Sequence, residues 1–344
     1  MRKFINKGES YVDEALEGML DAFPNHLKAV ENDPRALMRA DAPVEGKVGI
    51  VTGGGFGHVP LFLGYIGPGL ADGVAVGNVF SSCSVEAIVN ATKAVDSSRG
   101  VLYIYGNYMG DALNFQMAQE QCNEEGLPVE SVAMIDDVAA AAPSNRDRRR
   151  GIAGLFFAYK IAGAHADEGA GLQELKGLAE QVVANTRSMG VALSPCTIPS
   201  VGKPTFELGE DEMELGMGIH GEQGVKRMPL ATADETAAMM MHSILEDLPF
   251  TRDDNVAVLV NSLGSTPLEE LFIINRKVHR VLKDEGISVH RTYVGQYSTS
   301  MEMAGFSISL LRLDNQMKKL LDAPAVSPFL PQWIGTAQSK IHRS

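Results

Sequence analysis

Apolar residues first recur at helical spacing near the amino terminus, where Val12, Leu16, Leu20 and Phe23 lie three or four positions apart and the run stops at Pro24. That pattern predicts a helix over 11–23. After a polar, proline-containing approach, the β-branched run KVGIVT at 47–52 stops at Gly53, which predicts a buried strand feeding a glycine-rich turn. The alternation then continues with a helix over 85–95, a strand over 100–105 (GVLYIY), a helix over 111–124, a strand over 129–135, and helices over 151–163 and 171–185. Strands alternating with helices predict parallel βαβ units, closing a first domain near residue 185.

The second half opens on a strand-like VALSPC at 191–196, followed by an irregular stretch with Pro195, Pro199 and Pro204. The segment ELGMGI at 214–219 runs into His220, and a helix over 231–248, a strand over 256–260, a helix over 267–284 and strands over 287–294 and 306–313 follow. The pattern is α/β or α+β here. No repeat of fixed period and no low-complexity linker interrupts the chain, so two domains, 1–185 and 186–344, are expected to pack closely rather than swing freely.

With 344 residues, 45% of them hydrophobic, the chain has material for sizeable cores. A net charge of -13 argues against nucleic-acid binding, which wants a concentrated basic surface. The one basic run, at 146–150, is expected to be a solvated loop. Three cysteines, Cys83, Cys122 and Cys196, show no paired or zinc-ligand spacing, which fits a reducing compartment. The polar amino terminus lacks the apolar core of a signal peptide, and no apolar run reaches the ~18 residues of a membrane span. A cytoplasmic location is the expectation.

Three segments could carry chemistry. Four glycines among five residues at 53–57 let backbone amides approach a ligand, and His58 follows them. Neither Gly-Lys-Ser/Thr nor GxGxxG is formed by this segment, GGGFGHVP, so it lacks the usual nucleotide-binding residues. Asp111 closes the segment GNYMGD at the end of the predicted strand over 100–105, where open α/β sheets hold ligands; it could equally cap the next helix, and the two roles can coexist. His220 has glycines close on both sides, which opens it for attack by a ring nitrogen on a ligand carbon, although turn histidines also occur as plain surface residues. A histidine of ordinary pKa near ~6.5 is largely neutral at neutral pH, as attack requires. Glu222 could orient the ring.

These segments resemble the K subunit of dihydroxyacetone kinases. That family carries GGGSGHEP, KNYTGD and GIHGEPG in this order, and the present chain reads GGGFGHVP, GNYMGD and GIHGEQG. Further blocks, at 39–48, 64–69, 149–154, 261–271 and 303–311, extend the likeness over nearly the whole chain. The resemblance implies a two-domain α/β fold, each domain a sheet flanked by helices, usually homodimeric, with a small hydroxyketone held between the domains. It implies that His220 forms a hemiaminal with the ketone carbonyl, that His58 and Asp111 are the acid/base pair, and that backbone around Gly54, Gly55 and Gly106 lines the substrate. A reversible covalent tether would select ketones over glycerol, which has no electrophilic carbon. No cofactor is expected on this chain: the resemblance places ATP or ADP with magnesium on a separate L subunit, working with ATP directly or with a phosphotransferase-system protein. The chain ends soon after the matched region, with Trp333 near its terminus, leaving no room for that module.

Three departures lie beside the implied pocket: Gly106 replaces a lysine, Val59 a glutamate and Phe56 a serine. Loss of the lysine frees volume and removes a donor, so a longer ketose such as erythrulose is expected to be preferred over dihydroxyacetone, unless Tyr105 or Tyr108 fills the gap. The rival reading is a non-catalytic ketone-sensing co-regulator of the same fold. A sensor needs only the tether, so the presence of both His58 and Asp111 favours catalysis.

Overall fold

The computed structural model describes residues 3–332; Trp333 lies outside them. In the first half, α1 (Tyr11–Ala22) leads into β1 (Leu27–Val30) and β2 (Asp33–Arg39), then β3 (Gly49–Phe56), β4 (Gly73–Val79), α2 (Val85–Val95), β5 (Val101–Gly106), α3 (Met109–Glu124) and β6 (Val129–Met134). The sheet runs β1-β2-β4-β3-β5-β6. Its β4, β3, β5 and β6 are mutually parallel, while β2 pairs antiparallel with both β1 and β4. Every residue of β3 and β5 is buried, as expected of strands covered on both faces. The chain leaves β3 towards β4 on one side and returns through α2 to β5 on the other. The strand order therefore reverses at β3, whose carboxyl end opens the crevice in which such sheets bind ligands.

The glycine-rich segment is strand, not turn, as far as Phe56. A side chain at Gly55 would place its Cβ 2.7 Å from the Ser81 amide nitrogen, so glycine is what lets β3 pass beneath the 80–82 loop. The turn comes one residue later, at Gly57, whose φ of +106 only glycine adopts without strain.

The helix α4 (Leu155–Asp167) begins later than its apolar pattern implied. The Asp136 carboxylate accepts hydrogen bonds from the amides of Ile152 and Gly154 at 2.8 and 2.9 Å, holding 151–154 as a tight turn. Residues 155–166 of α4 are all buried, as an apolar-all-round helix demands. One of its rings, Phe156, packs against Tyr65 of the first half and Tyr293 and Tyr297 of the second, with centroids 5.5, 4.8 and 5.0 Å away. After α5 (Leu172–Asn185) the chain enters the second sheet: β7 (Thr186–Ser194), β8 (Glu212–Leu215), β9 (Lys226–Pro229), β10 (Asn255–Ser262), β11 (Ser288–Gly295) and β12 (Ala304–Arg312), with α6 (Ala233–Asp247), α7 (Leu268–Asp284) and α8 (Asn315–Asp322). Its order is β11-β10-β12-β7-β8-β9, and only β10 and β11, joined through α7, are parallel. One hydrophobic cluster joins the halves, with Ile50 and Ile104 of the first sheet and Leu259 and Leu311 of the second.

The basic run is not a solvated loop throughout. Arg149 is buried, its guanidinium donating to both Asp247 oxygens and to the Ala141 carbonyl, and Arg187 grips the same carboxylate. Arg150 is bound to Asp137. A guanidinium can enter a core when its donors are matched, which composition alone does not reveal. The three cysteines are free and buried. Among the described residues, no helix is long and apolar enough to cross a membrane.

Candidate active site

The loops after β3 and β5 bring the two N-terminal candidates together, and the second half lays His220 over them. His58 follows Gly57 directly and is buried. Its Nδ1 lies 2.8 Å from the Thr299 carbonyl, which can only accept, so Nδ1 carries the hydrogen and Nε2 is left with a lone pair. Burial, reinforced by the neighbouring His220 ring, brings His58 down to about 3, so it is neutral. Asp111 sits in the first turn of α3 and is buried. It does not cap the helix: Tyr108 occupies that position, without a side-chain bond. Burial raises the Asp111 carboxyl to about 6, against opposing hydrogen bonds from Ser82 and the Cys83 backbone and the pull of His220.

His220 is held by Glu222, whose carboxylate accepts from the His220 amide at 2.9 Å and from Nδ1 at 2.9 Å. Burial alone would raise Glu222, but the hydrogen bond and charge of His220 and the nearby Arg150 outweigh it and hold the group at about 2. Its carboxylate thus fixes the tautomer with the hydrogen on Nδ1 and leaves Nε2 free. The His220 side chain keeps 22% of its surface open. Around its ring stand His58, Tyr108 and Phe80, with centroids at 4.8, 4.6 and 5.3 Å. Phe80 also stacks on His58 at 4.8 Å.

Three of the six buried side-chain polar atoms without a hydrogen-bond partner among the described residues belong to this cluster: His58 Nε2, Tyr108 Oη and Asp111 Oδ1. Unpaired buried polar groups are costly, and their concentration beside one partly exposed imidazole marks a place for a polar ligand. Gly54 and Gly55 lie within β3, Gly54 against the Phe62 ring and Gly55 behind Phe80, while Gly106 ends β5. A Cβ at Gly106 would stand 3.3 Å from the Tyr108 ring, so Tyr108 takes part of the room that a longer side chain would use. Tyr105 does not: it stacks on Phe115, 4.4 Å away.

Sequence reasoning missed Phe80, Arg150 and Asp137. Phe80 carries no polar group, and its unusual φ of +54 is invisible in the sequence. Arg150 was hidden in the basic run. Asp137 and Arg150 reach the site only because β6 and the 149–154 turn end beside the 216–222 loop.

Comparison with known proteins gives the family and the fold. The Dak1 domain profile matches residues 17–329. The PTS-dependent dihydroxyacetone kinase 2, dihydroxyacetone-binding subunit DhaK, of Listeria innocua is 44% identical over 96% of this chain and 99% of its own length. The D-erythrulose kinase of Mycolicibacterium smegmatis is 40% identical over 99% of this chain, which spans only 58% of that enzyme. The crystal structure of the C. freundii dihydroxyacetone kinase superposes with a TM-score of 0.89 at 33% identity, covering 96% of this chain and 60% of that one. The dihydroxyacetone kinase operon co-activator DhaQ superposes with a TM-score of 0.87 at 31% identity, covering 93% and 98%.

Proposed function

The chain belongs to the Dak1 domain family, and from that premise we propose that it is the substrate-binding subunit of a dihydroxyacetone-type kinase. It holds a hydroxyketone of three or four carbons, dihydroxyacetone or a tetrulose such as erythrulose, as a hemiaminal on His220. The observation that carries this is the anchoring of His220 through Nδ1, which leaves Nε2 bare in a cluster that also holds three unpartnered buried polar atoms, on His58, Tyr108 and Asp111.

In the proposed step, Nε2 supplies the pair that forms the N–C bond, and the carbonyl π pair moves onto oxygen. That oxygen takes up a proton from solvent and the ring releases the one on Nδ1 to solvent, so one proton is gained and one lost, the adduct is neutral and no water leaves. With the ketose fixed, its terminal hydroxyl needs alignment and a proton acceptor. Asp111, mostly ionised at neutral pH with its carboxyl at about 6, is that acceptor. His58 is neutral with its hydrogen committed to Thr299, so Nε2 enters as a hydrogen-bond acceptor for a substrate hydroxyl rather than as an acid. The amide edges at Gly54, Gly55 and Gly106 line the ketose.

The phosphoryl group comes from ATP or ADP with magnesium on a separate L-type subunit, directly or by way of a phosphotransferase-system protein, and the working form is a homodimer divided into domains 1–185 and 186–344. Relatives named as subunits match end to end, whereas the D-erythrulose kinase carries further chain, in keeping with a second module. The likeness to a co-activator keeps a ketone sensor as the second reading. Asp111 favours the kinase, since a sensor has no use for a base.

Native mass spectrometry with dihydroxyacetone, erythrulose and glycerol tests the tether. Adducts are expected with both ketones, none with glycerol, and none in His220→Ala; ketone binding that survives His220→Ala sinks the proposal. Ketose phosphorylation on adding an L-type partner separates kinase from sensor.

A further inference from the structure

Behind Glu222 stands an ion pair that the mechanism above does not use. Arg150, in the turn between β6 and α4, places Nη1 3.8 Å from Glu222 Oε2. Its Nε and Nη2 donate to Asp137 Oδ2 at 2.9 and 2.7 Å, and Nη2 also reaches the Gly216 carbonyl at 3.3 Å. Asp137 is fully buried, and its Oδ1 accepts from the Ala139 amide at 3.0 Å. A line of alternating charge, Asp137 to Arg150 to Glu222 to the His220 ring, thus crosses from the first half of the chain to the second.

We infer that Arg150 is a positioning residue for His220: it shares the negative charge of Glu222, so that Glu222 orients the ring through Nδ1 without drawing a second proton onto Nε2. The inference rests on the proposed hemiaminal chemistry. A carboxylate 2.9 Å from an imidazole nitrogen favours imidazolium, whose Nε2 carries a hydrogen and cannot attack carbon. A cation beside the other carboxylate oxygen opposes that protonation. The groups facing the ring are His58, Tyr108, Phe80 and Glu222, with Arg150 and Asp137 behind Glu222 and Asp111 within electrostatic reach. Asp111 and Glu222 are the carboxylates near the ring, and Arg150 is the cation set against them. Arginine suits the place because its planar fork engages two carboxylates at once, which a lysine ammonium does less well.

The test follows dihydroxyacetone adduct occupancy by native mass spectrometry in the full chain, Arg150→Met and Arg150→Lys, from about pH 5.5 to about pH 9, across the range in which imidazoles titrate. In Arg150→Met the acid-side fall in occupancy is expected to move up by about one pH unit, a roughly tenfold loss on that limb, with recovery at the alkaline end. Nitrogen-15 spectra of the His220 ring should show Nε2 gaining a hydrogen at a pH where the unaltered chain keeps it bare. Arg150→Lys should shift less. A profile that superimposes on the unaltered one overturns the inference, and so does an equal loss at every pH, which is the mark of structural damage alone. If Arg150→Met does not fold, Arg150→Lys decides: an acid limb moved towards alkaline pH supports the role, and an unmoved one overturns it. An unaltered chain that forms no adduct would instead overturn the ketone-binding reading beneath.

Discussion

Replacing Asp111 by asparagine should stabilise the protein while stopping turnover. The carboxyl is buried and raised from 3.8 to about 6, chiefly by burial. Between those pH values the folded chain binds a proton that the unfolded chain has released, so stability falls as pH rises through this window. At about 1.4 kcal/mol per pH unit, the ionised group costs the folded state about 3 kcal/mol above pH 6. Asparagine keeps an acceptor for Ser82 and the Cys83 amide and carries no charge. Thermal melts of the two proteins should therefore coincide near pH 4 and separate towards pH 8, with D111N melting higher by several degrees, at roughly 2–4 °C per kcal/mol for a chain somewhat smaller than this. With an L-type partner, turnover should fall by about 10²–10⁴, the usual worth of a general base, while the ketone adduct on His220 persists. Parallel melting curves across pH would refute the assignment of a burial penalty to Asp111, and undiminished turnover would refute its role as proton acceptor.

Two further substitutions test other parts of the structure. Asp247→Ala leaves the buried Arg149 and Arg187 guanidiniums without their shared carboxylate and should cost about 3–5 kcal/mol, read by denaturant unfolding, with adduct formation intact in the folded fraction; a loss below about 1 kcal/mol would contradict the buried pairing. Gly106→Lys places its Cβ 3.2 Å from the Gly151 carbonyl and 3.3 Å from the Tyr108 ring, so Tyr108 must yield by a few tenths of an ångström. It should move the kcat/KM ratio towards dihydroxyacetone over erythrulose by roughly tenfold, and an unchanged ratio would show that this position does not read ketose length.

The long helices were legible because their apolar residues keep a strict period: α2 and α7 match their expected spans to within a residue. The hairpin of β1 and β2 was not, since in LKAV and DPRALMR charged residues and a proline break up the apolar positions, which show no clean alternation. Strand β4, GVAVGNV, was masked by its glycines and by the turn residues before it. The three candidate residues His58, Asp111 and His220 came from motifs, and the structure brings them together because two of them follow parallel strands at the reversal of sheet order. Asp111 was misread as an alternative helix cap because a first-turn acid and a cap differ by only a few residues in sequence. Arg150 could not be singled out, because its partners lie 13 and 72 positions away along the chain.

Helix α4, enclosed on every side, also constrains how a ketose enters and leaves. A hinge that parted the two sheets would unroof Phe156 and the tyrosines it touches in both halves, wetting an aromatic seam whose burial each ring favours strongly. Traffic to His220 is therefore the business of the surface loops around it, and the speed of exchange should depend on their rearrangement rather than on any breathing of the molecule as a whole.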